Sequence, residues 1–227
     1  MTKITYYGHS TFLISIGGKN ILFDPFITPN EKATKIAIPS IQADYILVTH
    51  GHEDHVADVE SIAKLTQATI VANFEVATWF EGKGLQNVQS MNHGGSKILE
   101  FGKIKYVNAI HSSTLPDGTP GGNPGGFVVQ SDDACFYYAG DTALTYDMKL
   151  IAEEFTIDFA FMPIGDNFTM GIKDAIKAAE YVGTQKIIGM HYDTFPQIEI
   201  NKEEAKKAAD KAGLELIMLN IGETITI

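Results

Sequence analysis

Cysteine is nearly missing from this chain: Cys135 is the only one in 227 residues. No internal disulfide can form, and a reducing cytoplasm is the expected location. Long apolar runs are missing too. Each apolar stretch is broken by charge or glycine within about ten residues, well short of a membrane-spanning helix. The opening Met1-Thr2-Lys3-Ile4 enters a strand-like segment at once, so no signal peptide is expected. Positive charge is also in deficit, with 17 Lys and Arg against 28 Asp and Glu and a net charge of -11. That balance argues against a nucleic-acid partner held on a basic surface. Lys202, Lys206, Lys207 and Lys211 do cluster, but Glu203, Glu204 and Asp210 are interleaved, which describes a solvated helix face.

What is present suits an enzyme. A hydrophobic content of 44% and 21 glycines allow a large core with tight turns, and residues 1–227 are expected to form one domain. Residues 5–16 read as a strand interrupted at Gly8-His9-Ser10. A Gly17-Gly18 turn and a strand ending at Asp24-Pro25 follow. Residues 43–48 form the next strand, and Val56, Val59, Ile62, Ala63 and Leu65 then recur at helical spacing. A short strand at 69–72 and a helix at 74–80 precede strands at 87–91, 97–101 and 104–109. A glycine- and proline-rich loop at 116–126 leads to a hairpin with arms 127–130 and 134–138, ending at Gly140-Asp141-Thr142. Both hairpins thus deliver an aspartate, a weak internal echo of two similarly built halves. Helices at 146–154, 172–182 and 202–212 then alternate with strands at 157–162, 186–190, 214–219 and 223–227.

The informative feature is the run His50-Gly51-His52-Glu53-Asp54-His55, which follows an apolar strand. Folding does not ask for three imidazoles and two carboxylates in six positions, whereas a divalent metal does. His111, Asp141 and His191 each follow a different strand, so one sheet edge could gather the whole set. Spacing suggests two sites. His50 and His52 converge with His111 on one ion; Asp54 and His55 join His191 on a second, at the head of the helix, and Asp141 bridges them. A bridged pair about 3.5–4 Å apart can generate hydroxide at neutral pH and clamp a developing oxyanion.

With those residues in view, the chain resembles the metallo-β-lactamase superfamily. Thr49 to His55 matches its His-x-His-x-Asp-His run, and His111, Gly140-Asp141-Thr142 and Gly189-Met190-His191 follow in the family's order. Gly8-His9-Ser10, Asp24-Pro25-Phe26 and the stretch from Gly165 to Gly171 look like the uncharacterised metal-dependent hydrolases related to ascorbate-6-phosphate lactonase. The resemblance implies a four-layer αβ/βα sandwich, with two mixed β-sheets and helices on the outer faces. It also implies two divalent ions, zinc first, with manganese, nickel or iron as alternatives, and the ligand division given above. The activity it implies is hydrolysis of a small ester, lactone or phosphoester, by a hydroxide bridging the metals. Asp54 and Asp141 are the catalytic carboxylates in this scheme, Asp54 steering the water or its proton. Relatives that assemble imply a homo-oligomer.

The alternatives are an iron-dependent oxidoreductase of the same fold and a non-catalytic metal-binding protein. The first is disfavoured by His52, where the oxygen-reducing relatives carry Glu. An amidohydrolase-type barrel also uses His-x-His after a strand, but it does not call for Asp-His directly behind and needs more chain. Around the metals, Asp24 could hold the distal nitrogen of a ligand histidine or simply form a turn before Pro25. His9 could line the pocket or donate to a substrate oxyanion, or be satisfied by backbone groups. Ser112, Ser113 and Thr114 could form a pocket wall. Asn167 and Thr169 could bind substrate, or Thr169 could cap the helix at 172.

Overall fold

Residues 1–227 are all described by the computed structural model, which holds fourteen strands and six α-helices. The chain opens with an antiparallel meander of β1 (Lys3–Gly8), β2 (Thr11–Ile16) and β3 (Lys19–Phe23). Ile4 lies opposite Ile14, and Ile14 opposite Ile21. All three are fully buried, so the period of two expected of a half-buried strand sets one face inward. The interrupted strand expected over residues 5–16 is therefore two strands. Gly8 at φ +106° and His9 at φ +55° turn the chain back on itself, and His9-Ser10 becomes the tip of a hairpin.

From β3 onward the first sheet is parallel. β4 (Tyr45–Leu47), β5 (Thr69–Asn73) and β6 (Val88–Met91) add in turn. The crossovers carry α1 (Glu53–Val56), α2 (Val59–Thr66) and α3 (Phe74–Gly82). The second sheet repeats the scheme. β7 (Ser96–Leu99), β8 (Gly102–Asn108), β9 (Gly125–Gln130) and β10 (Cys135–Tyr138) are antiparallel. β11 (Phe159–Pro163), β12 (Lys186–Met190) and β13 (Glu215–Ile217) then run parallel to β10, with α4 (Met148–Glu154), α5 (Ile172–Val182) and α6 (Lys202–Lys211) as crossovers. β14 (Thr224–Thr226) returns to pair with β1. Each seven-stranded sheet thus has an antiparallel half and a parallel half, and β3 and β10, the strands that deliver Asp24 and Asp141, occupy the same place in each.

The aromatic inner faces hold the sheets together. Phe12 and Phe23 from the first sheet meet Phe136, Tyr138 and Phe161 from the second, in a buried cluster of 44 residues. The helices cover the outer faces: α5 buries Ala175, Ala178, Ala179 and Val182, one stripe at helical spacing. A separate cluster of 19 residues, Ile46, Ile62, Val76 and Phe80 among them, fills the space between the first sheet and its helices. These are the four layers of the expected αβ/βα sandwich. The loop expected over 116–126 is shorter than anticipated, because Gly125 and Gly126 already pair with Asn108 and Val107.

Phe161 is fully buried and joins the two layers. Its ring lies 4.8 Å from Phe12 of the facing sheet and 5.3 Å from Tyr138 of its own. Phe161→Ala should cost about 3–5 kcal/mol of stability, the usual loss for a large core aromatic. Denaturant unfolding followed by circular dichroism measures it, and a loss below about 1 kcal/mol would show that the seam repacks freely.

Candidate metal centre

Parallel strands of both sheets end at one edge, and the polar side chains they deliver meet there. β4 leads into Thr49-His50; α1 presents Asp54 and His55; His111 lies three residues beyond β8; Asp141 follows β10, and His191 follows β12 directly. Their convergence is tight. Around the single oxygen Asp141 Oδ2 stand His191 Nε2 at 3.0 Å, His55 Nε2 at 3.3 Å, His111 Nε2 at 3.5 Å and His50 Nε2 at 4.0 Å. Asp54 Oδ2 lies 3.7 Å from both His55 Nε2 and His191 Nε2. His52 Nδ1 is 2.9 Å from His50 Nε2. The side chains fall into groups whose donor atoms lie within 4.8 Å of one another: His50, His52 and His111; His50, His55 and Asp141; and His9, Asp54, His55 and His191.

The imidazoles are aimed by the residues behind them. Asp24 is fully buried and accepts from the Thr49 backbone N–H and the Thr49 hydroxyl, each at 2.8 Å, and from His55 Nδ1 at 2.9 Å. In its neutral form His55 thus carries its hydrogen on Nδ1, and a lone pair on Nε2 faces the centre. Thr49 does the same for His50. Its hydroxyl donates to Asp24 and so accepts from His50 Nδ1 at 3.0 Å, which leaves a lone pair on His50 Nε2, on the side of His52 Nδ1 and the centre. One carboxylate therefore orients two imidazoles, the role that outer partners of metal-binding histidines play. Of the two readings of Asp24, the orienting one describes its contacts; its backbone, at φ +41°, also turns there. Two glycines let the layers close on this framework. A Cβ on Gly140 would lie 2.8 Å from the Thr49 side chain, and one on Gly165 only 2.0 Å from the His191 carbonyl oxygen.

The electrostatics call for positive charge. Burial works against a charged His55, yet Asp141, Asp54 and Asp24 outweigh it and hold the imidazole well above its ordinary range. His191 is likewise buried, but Asp141 and Asp54 hold it up at about 9. Burial and the neighbouring imidazoles push His50 well down, and burial lowers His52 and His111. Burial opposes ionisation of Asp141 and Asp54, but the imidazoles, His191 and His55 foremost, keep both carboxyls below their usual range. His55 Nε2 and Asp141 Oδ1 are buried without a hydrogen-bond partner, a costly arrangement in a finished core. Imidazole and carboxylate donors, closely spaced, anion-rich and partly unsatisfied, suit one or two divalent cations.

Known proteins resemble this chain over nearly its whole length. A family profile described as the beta-lactamase superfamily domain matches residues 3–191. The chain belongs to the metallo-β-lactamase superfamily. Proteins of Flavobacterium johnsoniae and Christiangramia forsetii, each called a UPF0173 metal-dependent hydrolase, are both 55% identical to it, over 99% of this chain and 100% of theirs. A metallo hydrolase of the archaeon Ignicoccus hospitalis superposes with a TM-score of 0.89 at 32% identity, covering 100% of this chain and 98% of that one. Within the superfamily, the chain is thus one of the UPF0173 metal-dependent hydrolases, and a hydrolase-like activity accords with that membership.

The remaining candidates of this superfamily member are placed unevenly. Ser112 Oγ lies 3.2 Å from His52 Nε2. Ser113 accepts from Gly51 N and donates to the Gly121 carbonyl, so it staples the loop rather than facing a cavity. His9 is wholly buried, with both ring nitrogens engaged inside the protein. No N–H of its ring is left for a substrate oxyanion. Thr169 does not cap α5, whose first turn has no side-chain cap. Asn167 borders a cavity of about 650 Å³ between the β11–α5 loop and α6, which holds none of the clustered histidines. That loop is still moored beside Asp141, because Met170 N donates to the Thr142 carbonyl. In the sequence Thr49 only precedes the histidine run, with no sign of its orienting role, and no motif marks Thr194.

Asp24→Ala should weaken divalent metal binding about 10–100-fold, as loss of an orienting partner does. Chelator competition on the purified variant measures this, and an unchanged affinity would show that His50 and His55 orient without it.

Proposed function

We propose that this chain is a metal-dependent hydrolase with a dinuclear centre, the whole of residues 1–227 serving one active site. The ligands are His50, His52 and His111 on one side, and Asp54, His55 and His191 on the other, with Asp141 shared. The observation that supports this reading best is the crowding of four imidazole nitrogens, from three separate segments, within 4.0 Å of one buried Asp141 oxygen. Zinc is the first expectation, and manganese, nickel and iron suit the same donors. Bound there, the cations would supply electrophilic polarisation of a substrate oxygen and water of lowered pKa.

The protein's own part is to aim and to exclude. Asp24 and Thr49 hold the lone pairs of His55 and His50 on the centre. Burial of Asp24 and Asp141 keeps water from competing for them. Of the carboxylates, Asp54 alone has substantial access to solvent, its side chain 25% exposed against 2% for Asp141 and none for Asp24. It is therefore the group placed to accept a proton from an incoming nucleophile or pass one to a leaving group. The substrate class is a small ester, lactone or phosphoester.

Protein purified without chelator should carry about two divalent ions per chain by elemental analysis. Chelator should abolish hydrolysis across a panel of lactones, phosphomonoesters, phosphodiesters and thioesters, and added metal should restore it. Asp141→Ala and His50→Ala should each lower kcat/KM at least about 100-fold, a loss of some 2.7 kcal/mol of transition-state stabilisation. Full activity in the metal-depleted protein, or in either variant, would sink the proposal.

A further inference from the structure

His9 reaches the centre from the β1–β2 hairpin tip and could be counted as an eighth ligand, since its ring falls in one of the donor groups. Its contacts point elsewhere. His50, His55, His111 and His191 all stand within 4.0 Å of Asp141, but His9 makes no such approach and pairs with Asp54 alone. Its Nε2 is 2.9 Å from Asp54 Oδ2 and its Nδ1 is 2.9 Å from Thr194 Oγ1. A carboxylate oxygen only accepts, so the hydrogen of this pair sits on His9 Nε2, and a nitrogen that carries it has no lone pair for a metal. His55 Nε2, by contrast, is buried and has no partner. Asp54 Oδ2 has two lone-pair directions: His9 takes one, and the other is left for the gap between His55 and His191.

The main chain at the same residue holds a second element of the site. His191 N donates to the His9 carbonyl at 3.0 Å, and the Tyr6 hydroxyl reaches that carbonyl at 3.2 Å. The rings of His9 and His191 lie 4.2 Å apart, with Phe26 and Phe195 packed edge-on against His9. Both histidines sit in the left-handed region, at φ +55° and +56°. Such backbone is costly for residues other than glycine and persists only where the surroundings over-determine it.

On the dinuclear reading above, we infer that His9 is a positioning residue and not a ligand: its Nε2–H clamps Asp54, its carbonyl clamps His191, and Thr194 fixes its ring. It joins the β1–β2 hairpin to ligands from α1 and from the end of β12, which lie far apart in sequence.

The test is Zn²⁺ binding by chelator competition, together with nitrogen-15 NMR of the histidine rings, in the full-length protein. Nε2 of His9 should carry hydrogen in both the metal-free and the zinc-loaded protein. His9→Phe should weaken one of two bound ions about 10–100-fold. His9→Gln, which keeps an N–H at that reach, should recover most of the affinity. Thr194→Val should show a smaller loss that Thr194→Ser reverses. Zinc displacing the hydrogen from Nε2, or unchanged affinity in His9→Phe, would overturn the inference. If His9→Phe does not fold, Thr194→Val is read in its place, and unchanged affinity there overturns the inference equally. A wild-type protein that binds no zinc would overturn the dinuclear proposal instead, while the His9–Asp54 bond would still be read in the metal-free NMR spectrum.

Discussion

A buried aspartate surrounded by imidazoles is the constraint on which the rest of this structure turns. Asp141 is only 2% exposed, and burying a carboxylate is costly unless charge or hydrogen bonds meet it. Here both layers of the sandwich contribute. His50 and His55 come from the first sheet's crossover, and His111 and His191 from the ends of second-sheet strands. The edge where the sheets meet is therefore also where their polar groups must be mutually satisfied. The apolar seam of Phe12, Phe23, Phe136, Tyr138 and Phe161 supplies cohesion behind it, and the strained backbone at the edge is carried by that cohesion. Asp24, His9 and His191 all hold positive φ, each at a point where a strand or hairpin gives out onto the site.

The two halves share this burden unequally. β3 and β10 are equivalent strands, and each ends in an aspartate beneath the same edge. Asp141 projects into the centre, whereas Asp24 sits behind it, holding His55 and, through Thr49, His50. One topological position has thus become a shared ligand candidate in one half and an orienting group in the other. The divergence follows from what comes next in the chain. After β4 in the first half comes the histidine-rich run, whose rings need something to accept their distal N–H groups. After β11 in the second half comes the Gly165–Gly171 loop, which offers no imidazole.

Much of this was legible in the residues. The dense run from His50 to His55 needs a metal to explain it, and period-two and period-3.6 patterns located α5, β12 and most other elements to within a residue or two. The echo of two hairpins ending in aspartate was a true sign of two like-built sheets. What stayed hidden depended on reversal or on distance. Residues 5–16 keep strand-like composition throughout, and only the positive φ at Gly8 and His9 reveals a hairpin. Ser113 looks like a pocket residue beside His111, but its partners are Gly51, 62 positions earlier, and Gly121 across its own loop. Thr194 is one of many threonines until folding brings it against His9, 185 positions earlier.

The parts of the site that would hold metal and the parts that border its mouth are fixed by different means, which explains why the first were readable and the second were not. Ligand candidates sit at or within a few residues of strand ends or on α1, where sheet register dictates their place. The mouth is made of loops tied by a few hydrogen bonds each. Thr142 shows this: its hydroxyl accepts from Ile110 N and its carbonyl from Met170 N, so one residue next to Asp141 moors two loops. Those loops carry Ile110 and Phe168, both about half exposed. Side chains held in this way can change without disturbing Asp141, whereas a change at Gly140 or Gly165 cannot, because the space a Cβ would take there is already filled by Thr49 or His191. The residues that could hold metal and those that border them are accordingly fixed separately in this fold, and a sequence signature tied to strand ends reports on the first alone.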